Sequence, residues 1–228
     1  GAPLYSPPKE IGKCDVEDTG TSVTFLPDDT IFDEVLFIHE KISTRIREMS
    51  FLNRKVKMIL TDEREKDEKG AFISETFFSE NGLIDFVKFI DVAKTPIIAE
   101  PIYVTSEDEG VEVEVAMEYN TSYSENIVAY CNNINTYNGG THVNGFKRAV
   151  THYFKKYAEA NGYFAKLKFK VSGEDFREGL TAVISVKVPD PQFKSQTKDE
   201  VTNSELTSIV SKCVGEGIEN YLEENLPR

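Results

Sequence analysis

The sequence predicts an α+β chain in which a sheet formed late in the sequence is covered by long helices, and three observations carry that expectation. Val111 to Tyr119 alternates apolar and acidic residues, the period of a strand with one buried face. Residues 141–160 and 204–223 repeat apolar side chains at helical spacing. Leu180 to Val188 is apolar on both faces, as a central strand of a covered sheet must be.

In chain order, an opening loop carries Pro3, Pro7 and Pro8, and the β-branched run from Thr21 to Leu26 reads as a short strand. From Glu40 to about Ser50, Ile42, Ile46 and Met49 form one helical stripe. Lys55 to Thr61 alternates as a strand, the charge-dense Asp62 to Lys69 is expected as a hairpin tip, and Ala71 to Phe78 as the returning strand. Leu83, Ile84, Val87 and Ile90 give a short helix over 82–91, which Thr95-Pro96 ends.

The clean strand follows, with Val111, Val113, Val115, Met117 and Tyr119 on its buried side, and Asn126 to Ile134 is expected beside it in the sheet. The helix from Thr141 to Ala160 turns Phe146, Val150, Tyr153, Phe154 and Tyr157 inward and stops at Gly162. The last helix, about 30 Å long at 1.5 Å per residue, buries Leu206, Ile209, Val210, Cys213, Ile218, Tyr221 and Leu222. Helices are expected on one side of this second sheet. The residues alone place a domain boundary near Glu100-Pro101.

Composition narrows the function. At 39% hydrophobic and 29% charged the chain has an ordinary globular balance, and no apolar run approaches the length that spans a bilayer, so no membrane partner is expected. Cys14, Cys131 and Cys213 are too far apart for a zinc knuckle and odd in number, which points to free thiols and a cytoplasmic location. A net charge of -13 argues against general nucleic-acid binding. The distribution is uneven, however: residues 61–120 hold sixteen acidic and five basic side chains, whereas 141–170 hold Lys147, Arg148, Lys155, Lys156, Lys166, Lys168 and Lys170 against Glu159 alone. That basic stretch is either a solvated helix face or a local seat for DNA.

Two segments carry candidate chemistry. Between an apolar strand and an amphipathic helix lies Pro191-Gln192-Phe193-Lys194-Ser195-Gln196-Thr197-Lys198. In an extended loop Gln196 and Lys198 project the same way, so an amide and an ammonium converge on one anion. Upstream, Gly140 to Lys147 superficially suggests a phosphate-binding loop, but Phe146 separates the second glycine from Lys147 and Arg148 supplies no hydroxyl for magnesium. The alternative is a tight turn at Gly139-Gly140, with Thr141 capping the helix and His142 structural. His39 and His152 have no ligand-like neighbours, so no metal site is expected.

These segments, with Gly20 to Phe25, Arg47 to Asn53, Asn132 to Thr136 through Gly139-Gly140-Thr141-His142 to Gly145-Phe146, and Gly173 to Leu180 through Lys198, make the chain resemble the B subunits of DNA gyrase among bacterial type IIA DNA topoisomerases. The resemblance implies the end of a GHKL-type ATPase α/β sandwich followed by a transducer domain whose ribosomal-protein-like β-sheet is covered by helices. It moves the boundary earlier, dividing the chain into 1–75 and 76–228. It implies an ATP-operated clamp coupling nucleotide binding and hydrolysis to DNA strand passage and negative supercoiling. Gln196 and Lys198 would contact the terminal phosphate of ATP, Thr21 would hold the adenine end, and Lys147 would line the DNA cavity. Without the resemblance, Thr21 reads equally as a strand threonine facing solvent.

The implied partners are DNA, the gyrase A subunit and a second B subunit, with ATP and Mg2+ as cofactors of the intact enzyme. The general-base helix Glu-x-x-x-Asn-x-x-Asp and the Asp-x-Gly-x-Gly lid of such ATPases are incomplete: Asp18-Thr19-Gly20-Thr21-Ser22 lacks the second glycine, and Glu216 to Glu223 sits on the last helix with Glu in place of Asp. This chain alone is therefore expected neither to hydrolyse ATP nor to relax DNA. The alternatives are the topoisomerase IV equivalent and an interaction module that binds no nucleotide.

Overall fold

The computed structural model describes residues 7–165 and 167–225, so Pro3 and Lys166 lie outside the described residues. The chain divides into two compact units, residues 1–38 and 39–228.

In the described part of the first unit, residues 21–26 run without a strand partner and are exposed, which corrects the expected strand. β-branched composition favours extended backbone, but a strand is held by its ladder. The local order comes from Asp28, whose carboxylate accepts bonds from the Thr30 amide at 2.9 Å and hydroxyl at 2.6 Å, and from an edge-to-face contact of Phe25 with Phe37.

The second unit opens with α1 (His39–Leu52), then the antiparallel hairpin β1 (Met58–Lys66) and β2 (Phe72–Phe77). The expected charged tip is shorter than Asp62–Lys69. Residues 62–66 stay in β1 across an irregularity in register, and the reversal is a turn closed by Asp67, whose carboxylate accepts the Lys69 and Ala71 amides. Next comes α2 (Leu83–Ile90), whose entry is locked by Asp85 accepting from the Ser79 hydroxyl and the Asn81 amide.

The main sheet is formed by β3 (Ile102–Asp108), β4 (Val111–Tyr119), β5 (Asn126–Cys131), β6 (Ile134–Asn135) and β7 (Leu180–Lys187), in the order β3-β4-β7-β5-β6. Strand β7 is central, as its two apolar faces predicted. The expected adjacency of β4 and β5 is wrong because β7 inserts between them, antiparallel to β4 and parallel to β5. Parallel pairing needs a crossover connection, and α3 (Thr141–Ala160) lies on that connection. Helix α4 (Leu206–Asn225) closes the described chain.

Helices cover both faces of this sheet rather than one. Phe146 and Val150 of α3 and Leu206, Val210 and Ile218 of α4 pack with Val113, Val115, Met117 and Ile184. On the opposite face, Leu83, Phe86 and Val87 of α2, with Leu52 of α1, pack with Ala116, Tyr130 and Val183. Cys131 and Cys213 are buried within the first of these cores, and Cys14 is exposed. The approach of α3 to α4 depends on Gly145, where a Cβ would lie 2.5 Å from the Thr207 carbonyl oxygen.

A buried polar cluster ties the end of α2 to the sheet. Asp91 accepts bonds from Thr181 Oγ1 and Asn120 Nδ2, each at 2.8 Å, and pairs with Lys94 at 3.0 Å. Burial works against the Asp91 charge, but these donors outweigh it and hold its pKa below the usual carboxylate value. Glu118 bonds to Asp91, and burial together with that carboxylate raises its pKa to about 7.

Protonated Glu118 therefore donates to ionised Asp91. Glu118's contribution is complete below its unfolded value near 4.5 and is lost as pH rises through about 7, whereas Asp91's is lost as pH falls below 3.8. Glu118→Gln retains an N–H donor and removes the titration. We expect the parent chain to lose about 2.5 kcal/mol of urea-measured stability between about pH 5 and about pH 8, and the variant to lose little. Equal losses would remove Glu118 as the cause.

Candidate functional site

The loop after β7 is held from below by one residue. Val201 bridges antiparallel to Phe193 and parallel to Gly140, so the two legs of the loop are joined to each other and to the segment entering α3. The Thr141 amide donates to the Val201 carbonyl at 3.1 Å and the Val201 amide to the Gly139 carbonyl at 3.2 Å. Higher up, the Lys194 amide reaches the Glu200 carbonyl at 3.0 Å, and their side chains pair at 2.7 Å. Asn138 binds Asp199 twice, amide to carbonyl at 2.9 Å and Nδ2 to carboxylate at 2.7 Å.

Close approach explains the paired glycines. A Cβ on Gly140 would sit 2.3 Å from the Val201 oxygen and 2.6 Å from its nitrogen, and the residue's φ of +136° is one that L side chains rarely adopt. Gly140 is also the N-cap of α3 and no side chain caps the helix, so Thr141 does not perform the expected capping. Thr141 instead begins the helix, and its carbonyl accepts from Thr207 Oγ1 at 3.2 Å.

His142 is fully buried beneath this turn, bonded through Nε2 to Thr136 Oγ1 at 2.9 Å. The Thr136 hydroxyl donates to the Ala129 carbonyl, so Nε2 carries the hydrogen. Burial lowers the His142 pKa to about 4. A neutral ring with this tautomer is a spacer between β5 and α3, in keeping with the structural reading.

Gln196 and Lys198 share the tip, and both are exposed. The loop there is not extended: the Lys198 amide donates to the Ser195 carbonyl at 3.1 Å, closing a turn over Gln196 and Thr197. Convergence by alternation is therefore replaced by convergence on one turn. Lys198 has φ +57°, the left-handed conformation, and its ammonium lies 5.8 Å from the Phe193 ring centroid. Among the described residues it enters no ion pair within 4.0 Å, whereas Lys194 beside it is engaged. Ser195 Oγ donates to Asp199 at 3.0 Å and, with Thr197 and Asn138, lowers the Asp199 pKa. The result is a braced stalk presenting one cation and one amide to solvent.

The other two site residues lie apart from this turn in the chain. Thr21 is exposed in the first compact unit. Lys147 lies on α3, and its ammonium pairs with Glu125, which also accepts from Arg177 Nε at 2.7 Å. Arg177 is held further by Thr151 and the Gly173 carbonyl, each 2.8 Å from Nη1. Burial opposes the Glu125 charge, but the two cations outweigh it and lower its pKa. Farther along α3, Lys155 pairs with Glu159 and Lys156 with Glu219 of α4, while Arg148 and His152 are exposed. No cluster of three or more metal-ligating side chains occurs among the described residues.

Sequence reasoning missed the residues that brace the loop. Asn138, Ser195 and Asp199 were visible only as turn-forming types, and the bonds from Asn138 to Asp199 span 61 positions.

The sequence model of the DNA gyrase B family matches residues 82–227, from the start of α2 through α4 and across the braced loop. The chain belongs to the DNA gyrase B family. Among curated relatives, the DNA gyrase B subunits of Cytophaga aurantiaca and Cytophaga hutchinsonii are each 51% identical over 225 residues, 99% of this chain and 46% of theirs. The chain thus spans about half the length of the curated gyrase B relatives it matches. Among solved structures, the 43K ATPase domain of Thermus thermophilus gyrase B, in complex with an aminocoumarin, aligns with TM-score 0.75 and 32% identity, covering 87% of this chain and 52% of that one. A gyrase B subunit of Myxococcus xanthus, at 20% identity and TM-score 0.74, shares the fold over 92% of this chain and 60% of its own.

Proposed function

We propose that this chain is the nucleotide-sensing and force-transmitting part of a gyrase B subunit, comprising the end of a GHKL ATPase domain (1–75) and a transducer domain (76–228). The observation that carries the reading is the braced turn. A lysine that enters no ion pair among the described residues and a glutamine stand on a stalk whose legs are bonded to each other and to the start of α3, so an anion bound at the tip pulls directly on that helix.

In the intact subunit Lys198 neutralises charge on the terminal phosphate of ATP and Gln196 orients it. ATP and Mg2+ are the cofactors of the intact enzyme, and the general-base helix of such ATPases is incomplete in this sequence. Thr21 contributes its hydroxyl to the adenine end. Lys147 faces DNA in the clamp, and Glu125 remains paired with Arg177 when Lys147 turns to a phosphate.

The whole enzyme uses the A subunit, a second B subunit and DNA as partners in the cytoplasm, and strand passage with negative supercoiling is its output. The chain alone turns over no ATP. Gyrase is preferred to topoisomerase IV because the relatives at 41–51% identity are gyrase B subunits.

The coupling energy must come from contacts that exist only with ATP bound. Amide hydrogen exchange at residues 194–200 of the intact subunit is therefore expected to slow with a non-hydrolysable ATP analogue and not with ADP. Equal protection by both nucleotides, or by neither, would sink the sensing role.

A further inference from the structure

The two edges of the main sheet differ in their protection. At one edge β6 is two residues long, which leaves little backbone to pair. At the other, β3 pairs with β4 over seven consecutive residues without a bulge, from Ile102 to Asp108. Natural edges are blunted by lysine, proline, bulges or shortness. Within β3 there is no lysine, proline or bulge, its charged residues are confined to Glu107 and Asp108 at one end, and among the described residues no backbone–backbone bond reaches its outer side.

A groove of about 360 Å³ runs along this edge, between β3 and the carboxy-terminal half of α4. Gly217 brings the helix down close, since a Cβ there would lie 1.9 Å from Val104 Cγ1. Val104, Ser106 and Cys213 line the groove, and Glu216 and Glu224 stand exposed on its helical wall. Among the described residues no lysine or arginine lines it, and neither glutamate enters an ion pair. Lys212 pairs with Asp108 near the far end of β3 at 3.5 Å.

We infer that the β3 edge is a docking site for an extended, basic polypeptide segment of a partner protein, which adds as a sixth strand and sets lysine or arginine side chains against Glu216 and Glu224. A second copy of the same edge is a poor occupant, because it would oppose Glu107 and Asp108 to the same carboxylates. Backbone pairing supplies the attraction, and the carboxylates select for charge.

The probe is an acetylated, amidated heptapeptide alternating lysine and valine, titrated into the isotopically labelled chain. Saturable amide shifts confined to β3 and the facing residues of α4 are expected. Glu216→Lys with Glu224→Lys should weaken binding about tenfold or more, and both positions are exposed, so the fold should survive. The same peptide N-methylated at alternate residues should not bind, because its backbone cannot complete the ladder. Shifts scattered over the acidic surface, equal binding of the methylated peptide, or peptide-independent dimerisation through β3 would each overturn the assignment. So would occupation of the groove by the carboxy-terminal continuation in a longer subunit.

Discussion

Lys198→Ala in the intact subunit is expected to lower the DNA-stimulated ATPase rate by about two orders of magnitude or more, chiefly in kcat. Removing a charge placed against a developing phosphoryl charge typically costs about 3 kcal/mol of transition-state stabilisation. Stability should change little through lost contacts, because the side chain is exposed and its contact with Phe193 is a single cation–π approach at 5.8 Å.

The backbone carries a second, separable effect. At φ +57° any L residue is strained by roughly 1 kcal/mol, so alanine keeps the strain that lysine already bears and Lys198→Ala removes only the charged side chain. Lys198→Gly removes the charge and the strain together. A large loss in both variants assigns the effect to the ammonium; a loss in the glycine variant only assigns it to a loosened turn. Unchanged rates in both would leave Lys198 as solvated surface and take the phosphate contact with it.

What could be read from the residues divides along physical lines. The helical stripes of α3 and α4 and the alternation of β4 were legible because burial imposes a period over many residues. Strand β3 was missed because Pro101 precedes it and Ser106-Glu107-Asp108 ends it in polar residues, leaving too short an apolar pattern. The place of β7 between β4 and β5 could not be read from order along the chain, although its two apolar faces already required a central position.

Thr21 to Leu26 failed in the opposite sense: the composition suits a strand, but among the described residues nothing pairs with it. At the candidate site, the residue types at the tip were visible and the geometry was not. A turn closed from Lys198 to Ser195 and a left-handed lysine cannot be inferred from Gln-Thr-Lys. The engagement of Lys147 by Glu125 joins residues 22 positions apart, beyond the reach of local spacing rules. The basic stretch was thus counted correctly as charge, but the carboxylates that engage Lys147 and Lys156 come from elsewhere in the chain, and among the described residues only Lys155 finds its partner at local spacing.

Gly140→Ala should separate the brace from the chemistry it supports. The added methyl would fall 2.3 Å from the Val201 carbonyl oxygen, and that oxygen and the neighbouring nitrogen both belong to the bonds that hold the loop to the entry of α3. Neither atom is the end of a flexible side chain, so the bridge must open or the backbone must shift. With φ at +136° the residue is also strained as alanine wherever the methyl goes.

A cost of about 3 kcal/mol or more in urea unfolding is expected, together with faster hydrogen exchange at residues 194–201. Gly139→Ala is the matched control. It too has positive φ, at +78°, but its Cβ would meet only Val143 side-chain atoms at 3.7 Å or farther, so the cost should be about 1 kcal/mol. If the two variants cost the same, backbone strain explains both and the Val201 bridge contributes little. If Gly140→Ala alone loosens the loop, the nucleotide-dependent protection at 194–200 should vanish with it although Gln196 and Lys198 are untouched. That pattern would make the glycine turn the mechanical link between the proposed phosphate-sensing tip and the helix behind it.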